Sequence, residues 1–411
     1  MAAKLRYVCS SCVHDDALSA LIREEGEKQI CGFCGAKCSS LSLQELTDQI
    51  LERISWEYSD VDSEMVPYDG EEQEYFCDLY TSEELLSDQI GLDARPEVIL
   101  EIAQLMPDLT WCKRQLRSGD LAAALNSGWK SFIDVVKHHV RYFFSEPHDA
   151  HRGGRSDDFP NPEVFGIEYD PDEGVPPERI LDAIGSIVRR AKLIRSLDSG
   201  SIIFRARVHA VHEKPATAEE LGPPSTELAV QSNRMSPAGI VMFYGAFDSP
   251  TAIGETFQLD RERAADKVMS VGQFWSSRPL TVLDLTNLPS TPSFFGDYEM
   301  HHGISFLWDF NRDLTKPIAR DGMEHVDYVP TQIVSEYFRH RFKTEEELLL
   351  DGIIYLSSRT GSPACVLFFD QSDCGGVASA TTPALQLLED ATKRLLGSEL
   401  IYMAQAAKKP R

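Results

Sequence analysis

Two Cys-x-x-Cys pairs near the N-terminus, Cys9-Ser-Ser-Cys12 and Cys31-Gly-Phe-Cys34, constrain the fold of this chain more than any other stretch. The 18 residues between the pairs fall inside the spacing of a four-cysteine zinc site. Each pair bends the backbone into a tight knuckle that presents two thiolates, and Gly32 and Gly35 permit the turn at the second pair. Four thiolates close a tetrahedral shell, so the metal expected here is a structural zinc with no position open to substrate. Its ligands are Cys9, Cys12, Cys31 and Cys34, with Cys38 as a substitute for one of them and His14 as a weaker competitor. Four unrelated thiols are the alternative, and two matching spacings disfavour it.

A zinc knuckle organises only a short segment, so the other 370 or so of the 411 residues need cores of their own, which implies two or three domains. The formal charge of −25 argues against a nucleic-acid binder, whose affinity comes mainly from phosphate neutralisation by Lys and Arg. No apolar run approaches 18 residues and no charged-then-apolar leader opens the sequence, so neither a membrane span nor a signal peptide is expected. That reading is cytoplasmic, and nine cysteines in such a compartment are thiols or metal ligands before they are a disulfide framework.

The first 40 residues resemble a zinc ribbon. From Ser42 to about Phe144 the pattern is helical: Ser42 with Glu45 and Thr81 with Glu84 have capping-box spacing. Leu121, Leu125, Trp129, Phe132, Val136, Val140 and Phe143 lie along one stripe of a long helix beginning near Asp120. Residues 41–146 are therefore expected to form an all-α domain, followed by a linker at 147–178 rich in Gly, Pro and Asp. A connecting helix at 179–199 carries Ile180, Ile184, Ile187, Ala191 and Ile194 on one side. Beyond it, strands are expected at Val268–Trp275, Leu280–Leu285, Gly352–Leu356 and Cys365–Phe369, and helices at Tyr298–Asp313 and Thr331–Phe342. Helices and strands mix without a βαβ alternation, so the class is α+β. No GxGxxG follows a strand, which leaves a Rossmann dinucleotide site unsupported. From Pro383, the spacing of Leu385, Leu388, Ala391, Leu395 and Leu396 predicts a C-terminal helix within 371–411.

The chemistry concentrates between Ser201 and Gln258. Alternation in Ile202–Val208 puts Arg205 and Arg207 on one face of a strand and Phe204 on the other. A Pro- and Gly-rich loop with Asn233 and Arg234 leads into a second strand, Ile240–Tyr244. Ser249-Pro250 then starts a short helix that carries Glu255, with Ser249 as N-cap. These pieces can converge on one cleft. Their order, with Asp327-Tyr-Val-Pro-Thr-Gln332 and Asp351-Gly-Ile-Ile-Tyr-Leu-Ser357 downstream, is similar to the RES domain of bacterial toxins that act on NAD.

That resemblance covers about residues 200–370 and implies an ADP-ribosyltransferase-like fold and NAD as substrate. The implied reaction cleaves the bond between nicotinamide and ribose, with water or phosphate as acceptor, in a toxin or defence effector that depletes NAD. The bond breaks through an oxocarbenium-like state, as in glycoside hydrolysis, and a carboxylate beside the ribose answers the developing charge. Glu255 is the candidate for that role. Arg234 suits the pyrophosphate, with Arg205 as a second candidate, because a guanidinium makes planar two-point contacts with phosphate oxygens. Tyr244 is a candidate to stack on nicotinamide. Ser357 is the candidate family serine, with Ser358 its neighbour in the cofactor site and Ser335 the alternative.

Three other readings accompany this one: ADP-ribosyl transfer to a protein, a ribonuclease, and a non-catalytic interaction module. The helical region is similar to the HEPN-like domain placed ahead of RES domains, and Arg141 with His148 matches the spacing of HEPN nucleases. His138, His139, His148 and His151 have no acidic or cysteine partner at a ligand spacing. A protein antitoxin or regulatory partner and a homo-oligomer are further expectations.

Overall fold

The computed structural model describes residues 6–64, 66–69, 74–114, 121–142, 163–169, 173–256, 267–317, 322–376, 382–388 and 392–396. The chain divides into two compact units, one of Met1–Gly128 with His151–Pro176 and Ser290–Phe306, the other of Trp129–Ala150, Pro177–Pro289 and Leu307–Arg411. No helix among the described residues is long and apolar enough to cross a membrane.

In the first unit, the strands Tyr7–Cys9, Lys37–Ser42 and Glu27–Ile30 form an antiparallel sheet with Lys37–Ser42 in the centre. The helix Asp16–Glu25 starts at Asp15, whose carboxylate accepts from Ala17 N and Leu18 N. The predicted capping box at Ser42 and Glu45 opens the helix Leu43–Ile54, and that at Thr81 and Glu84 opens a short turn continued by Leu85–Gln89. The apolar faces of these elements meet around Ile22, Leu46, Ile50, Ile54, Leu85, Val98, Ile102 and Phe294.

The region expected to be all helical also contains strands. Tyr58–Asp60, Trp111–Lys113 and Leu79–Tyr80 make a small sheet, and Tyr68–Asp69 pairs with Glu74–Tyr75. Two- and three-residue strands carry too little periodicity to register against a helical background. Part of the expected linker is a hairpin, Glu163–Val164 with Ile167–Glu168, turning on Phe165 and Gly166 at positive φ and burying Val164, Ile167 and Tyr169. Segment 290–306, which the sequence places within the RES-like stretch, packs here instead: Phe294 joins this core and Arg53 donates to Gly296 O at 2.9 Å.

The predicted stripe from Leu121 through Val136 is buried. The helix, however, stops at His139 after a final π-helical turn, because Val140 takes an extended backbone; Phe143 lies outside the described residues.

The second unit is built on one ten-stranded sheet. Its strands in chain order are β1 (Ile194–Leu197), β2 (Ile202–Ala210), β3 (Phe243–Ala246), β4 (Lys267–Ser276), β5 (Leu280–Asp284), β6 (Gly352–Leu356), β7 (Pro363–Leu367), β8 (Cys374–Gly376), β9 (Leu385–Leu387) and β10 (Lys393–Leu396). The order across the sheet is β1-β5-β6-β7-β3-β2-β4-β9-β8, with β10 also on β4. Only β5–β6 and β8–β9 run parallel. Ile203, Phe243, Phe274, Val282, Ile354, Cys365, Leu367 and Leu387 form the core on one face.

Three expectations change here. The connecting helix ends at Arg190, and Ile194, which was to lie on its apolar side, begins β1. The second strand of the motif stretch starts at Phe243, not Ile240. Where the predicted C-terminal helix falls on described residues, β9 and β10 stand instead, both paired with the long strand β4, whose ladder local helical spacing does not reveal; Ala391 lies outside the described residues.

Candidate functional site

The face of the sheet opposite its apolar core carries Tyr244 on β3 and Tyr355 on β6, since Phe243 and Ile354, one residue away in each strand, point into that core. Between Tyr355 and Phe204 the cross-sheet register runs through Ala364 and Ala246. Two small residues in a row leave room for the short helix Ser249–Thr256, which buries Thr251, Ala252 and Ile253 and contacts β2, β3 and β7.

That helix delivers Glu255. Its N-cap is Asp248 and not the expected Ser249: the Asp248 carboxylate accepts from Thr251 N at 2.7 Å and from Thr251 Oγ1 at 2.9 Å. The helix is fastened to the turn between β6 and β7 in three ways. Thr251 Oγ1 pairs with Thr360 Oγ1 at 3.2 Å, and Arg359 Nη1 donates to Gly254 O at 3.1 Å. A Cβ at Gly254 would come within 2.8 Å of Thr360 Cγ2, so only glycine allows this approach. Glu255 follows Gly254, whose carbonyl the β6–β7 turn grips, so the helix carries its carboxylate against that turn.

Ser357 opens the β6–β7 turn, which closes through Ser357 N to Ser362 O and Gly361 N to Ser357 O, with Gly361 at φ 72°. Its Oγ accepts from Arg359 N at 3.2 Å and Thr360 N at 3.3 Å, which directs the hydroxyl proton outward, and it donates to Glu255 Oε1. Ser357 is 2% exposed. The structure thus brings Glu255 and Ser357, 102 residues apart in sequence, into one hydrogen bond. The neighbouring Ser358 is exposed. Ser335 is buried on the helix Val329–His340 and spends its hydroxyl on Thr331 O and Met235 Sδ.

Arg234 lies on a loop that the Val329–His340 helix grips. Thr331 Oγ1 donates to Arg234 O, and Gln332 Nε2 donates to Asn233 O and Ser232 Oγ, each at 2.8 Å. These bonds account for the Thr331-Gln332 pair in the downstream motif. The Arg234 side chain sends Nη1 to Leu314 O at 2.9 Å, a carbonyl in the last turn of the helix Tyr298–Thr315. Its remaining N–H donors have no protein acceptor among the described residues.

Tyr244 is a fastener of the same loop. Its hydroxyl pairs with Ser236 Oγ at 2.9 Å, and burial pushes its pKa up to about 12.

Arg205 stands apart from these groups. It extends from β2 on the core face with Ile203, lies 5.3 Å over the Phe243 ring, and donates to Gly222 O at 3.1 Å and Tyr244 O at 2.7 Å. Burial lowers its pKa to about 10. Its guanidinium ties two backbone segments together, so the structure gives it a fastening role where a pyrophosphate contact was expected. Alternation correctly predicted that Arg205 and Arg207 share a face, but not which face carries the cleft.

Tyr355 is the residue that the sequence reading missed. It shares the sheet face of Tyr244, and burial, then the charge of Glu255, hold its phenol well above the ordinary pKa. Embedded in the apolar run Gly352–Leu356, it reads as core; its position two residues before Ser357 was the available signal.

The four N-terminal cysteines converge in the first unit. Sγ separations are 3.8 Å for Cys9–Cys12, 3.6 Å for Cys9–Cys34 and 3.8 Å for Cys12–Cys31, and all four sulfurs lie within 4.8 Å of one another. Four sulfurs placed tetrahedrally at 2.3 Å from a zinc ion would be about 3.8 Å apart, so the donor set fits that metal. Burial drives the Cys9 and Cys12 thiols up, Cys12 to about 11. At Cys31 burial also acts upward, but N–H donors of Cys34 and Phe33 outweigh it and bring the thiol down to about 6. A bound cation would supply the positive charge that lets the raised Cys9 and Cys12 thiols ionise and complete a four-thiolate shell. Cys38 and His14 stay outside the cluster, His14 pairing with Asp93 at 3.2 Å. Of the nuclease pair, Arg141 is exposed and His148 lies outside the described residues, as does His151; His138 and His139 are exposed.

Residues 24–150 match the family model described as HEPN/RES N-terminal domain 1, and residues 202–388 match that of the RES domain. RES domains are associated with enzymes that act on NAD. No curated protein and no solved structure matches the chain.

Proposed function

We propose, for a chain that carries a RES domain behind an HEPN/RES N-terminal domain, that the cleft of Glu255, Ser357 and Arg234 cleaves the nicotinamide–ribose bond of NAD. The observation that carries this reading is the hydrogen bond from Ser357 to Glu255. It holds a carboxylate in one orientation against the β6–β7 turn.

As nicotinamide leaves, positive charge grows on the ribose, and Glu255 stabilises it or holds a ribose hydroxyl. Ser357 acts through Glu255 by fixing the carboxylate plane. Arg234 offers several unspent N–H donors to the pyrophosphate while its backbone is clamped by Thr331 and Gln332. Tyr244 keeps that loop in place through Ser236. Ser358, exposed beside Ser357, lies at the rim. Water or phosphate is the acceptor, and the cellular consequence is depletion of NAD in a toxin or defence effector, with a protein antitoxin or regulator as the counterpart such an activity requires. Zinc on Cys9, Cys12, Cys31 and Cys34 is structural; it organises the N-terminal unit and takes no part in the chemistry.

The test is incubation of the pure protein with NAD, with and without phosphate, following nicotinamide and the ribosyl product. Free ADP-ribose reports water as acceptor, a phosphorylated ribosyl product reports phosphate, and label retained on polypeptide reports transfer to protein. No nicotinamide release in any of these rejects the proposal.

A further inference from the structure

The tyrosine on β6 has a geometry that a core residue would not have. Tyr355 is 8% exposed, yet its hydroxyl has no hydrogen-bond partner among the described residues and is not sealed from solvent. Buried phenols ordinarily find a partner, because an unpaired hydroxyl away from water is costly. Tyr355 shares its sheet face with Tyr244, and Ser357, two residues further along the same strand end, holds the carboxylate of Glu255; Glu255 and, more weakly, Arg234 act on its phenol electrostatically. Ser357, two residues along the chain, already satisfies Glu255, so Tyr355 is not needed to hold that carboxylate. Arg234 satisfies Leu314 O and Tyr244 is paired with Ser236, so neither of those side chains uses the Tyr355 hydroxyl.

We propose that Tyr355 is a substrate-binding residue whose hydroxyl donates a hydrogen bond to the sugar of a ribosyl diphosphate, beside the carboxylate of Glu255. This rests on the NAD-cleaving reading of the same cleft and adds to it the group that reads the ribose. The position suits that task. Glu255 marks the ribose end of the ligand, and Tyr355 lies two residues before the serine that holds that carboxylate, so a donor there meets the sugar hydroxyls. Burial, and then the Glu255 charge, hold the phenol well above its ordinary pKa. It therefore stays protonated, and a neutral donor can approach Glu255 without competing with it for positive charge. A lysine or arginine at that position would neutralise the carboxylate that the reaction needs.

The experiment compares the full-length protein with Tyr355→Phe, which keeps the ring and loses only the hydroxyl. Binding of ADP-ribose and of inorganic pyrophosphate is measured by titration calorimetry, and nicotinamide release by KM and kcat. Loss of one neutral donor to a buried sugar hydroxyl is expected to weaken ADP-ribose binding about 5- to 50-fold and to raise KM for NAD similarly. Pyrophosphate binding should stay within about twofold, since Arg234 is untouched, a selectivity that a merely structural role would not produce. Equal ADP-ribose affinity in parent and Tyr355→Phe overturns this inference and leaves the NAD reading standing. Equal losses for ADP-ribose and pyrophosphate also overturn it, by showing a general disturbance of the cleft. A parent that binds neither ADP-ribose nor NAD rejects the underlying reading itself.

Discussion

Replacing Ser357 by alanine separates the proposed site from its closest sequence alternative, because Ser358 stands beside it with the same chemistry. In the structure, Ser357 Oγ donates to Glu255 and accepts from Arg359 N and Thr360 N at 3.2 and 3.3 Å. A hydrogen bond to a charged group contributes about 1.5–3 kcal/mol, and the two long backbone contacts add little, because water at the turn can replace them. Glu255 is only partly buried, so water also recovers part of the first contribution, and about 2 kcal/mol is the net loss expected. At roughly 2–4 °C per kcal/mol for a domain of this size, the melting temperature should fall by about 4–8 °C. Ser358→Ala, at an exposed position, should stay within about 0.5 kcal/mol of the parent. Activity should diverge further: a carboxylate freed to rotate away from the ribose should lose about 10²-fold in kcat, whereas Ser358→Ala should keep most of its rate. Differential scanning calorimetry and a nicotinamide-release assay on both variants make the comparison. A Ser357→Ala protein with parental melting and rate, or a Ser358→Ala protein with the larger loss, would refute the argument from the Ser357–Glu255 hydrogen bond.

Other consequences follow from the same contacts. Glu255→Gln keeps the shape of the side chain and removes its charge, so kcat should fall about 10²–10³-fold with NAD affinity largely retained, as read by steady-state kinetics and calorimetry. Gln332→Ala removes the bonds to Asn233 O and Ser232 Oγ that hold the Arg234 loop; KM for NAD should rise several-fold while kcat changes less, and an unchanged KM would show that the clamp does not matter. Metal analysis of carefully purified protein should find about one zinc per chain. Cys9→Ser should lose it and destabilise the N-terminal unit, since metal affinity in such a site is folding free energy; a metal-free parent with an intact N-terminal unit would contradict this.

Much of this architecture could be read where the signal is local. The two cysteine knuckles, the capping boxes at Ser42 and Thr81, and the strand and helix around Glu255 each rest on residues a few positions apart, and each is present. The order of the motif pieces anticipated that Glu255 and Ser357 would belong together, and the structure joins them directly. Non-local facts were hidden. The leucines from Leu385 to Leu396 have helical spacing, but the ladder of β4, far away in the chain, recruits Leu385–Leu387 and Lys393–Leu396 as strands. Alternation put Arg205 on a definite face of β2, yet nothing in the sequence says that this face meets Gly222 and Phe243. The packing of Phe294 with Ile54 and Leu46 depends on residues some 240 positions apart, and the apolar run that conceals Tyr355 gives no hint that its hydroxyl reaches the cleft.

The measurement that bears most directly on the central claim is nicotinamide release from NAD by full-length, zinc-loaded protein alongside its Glu255→Gln variant, with both melting profiles recorded. The parent should release nicotinamide, in water or on addition of phosphate, and the variant should lose about 10²–10³-fold with the fold intact. Absence of release by the folded parent under every acceptor condition, or equal release by parent and variant, would contradict it.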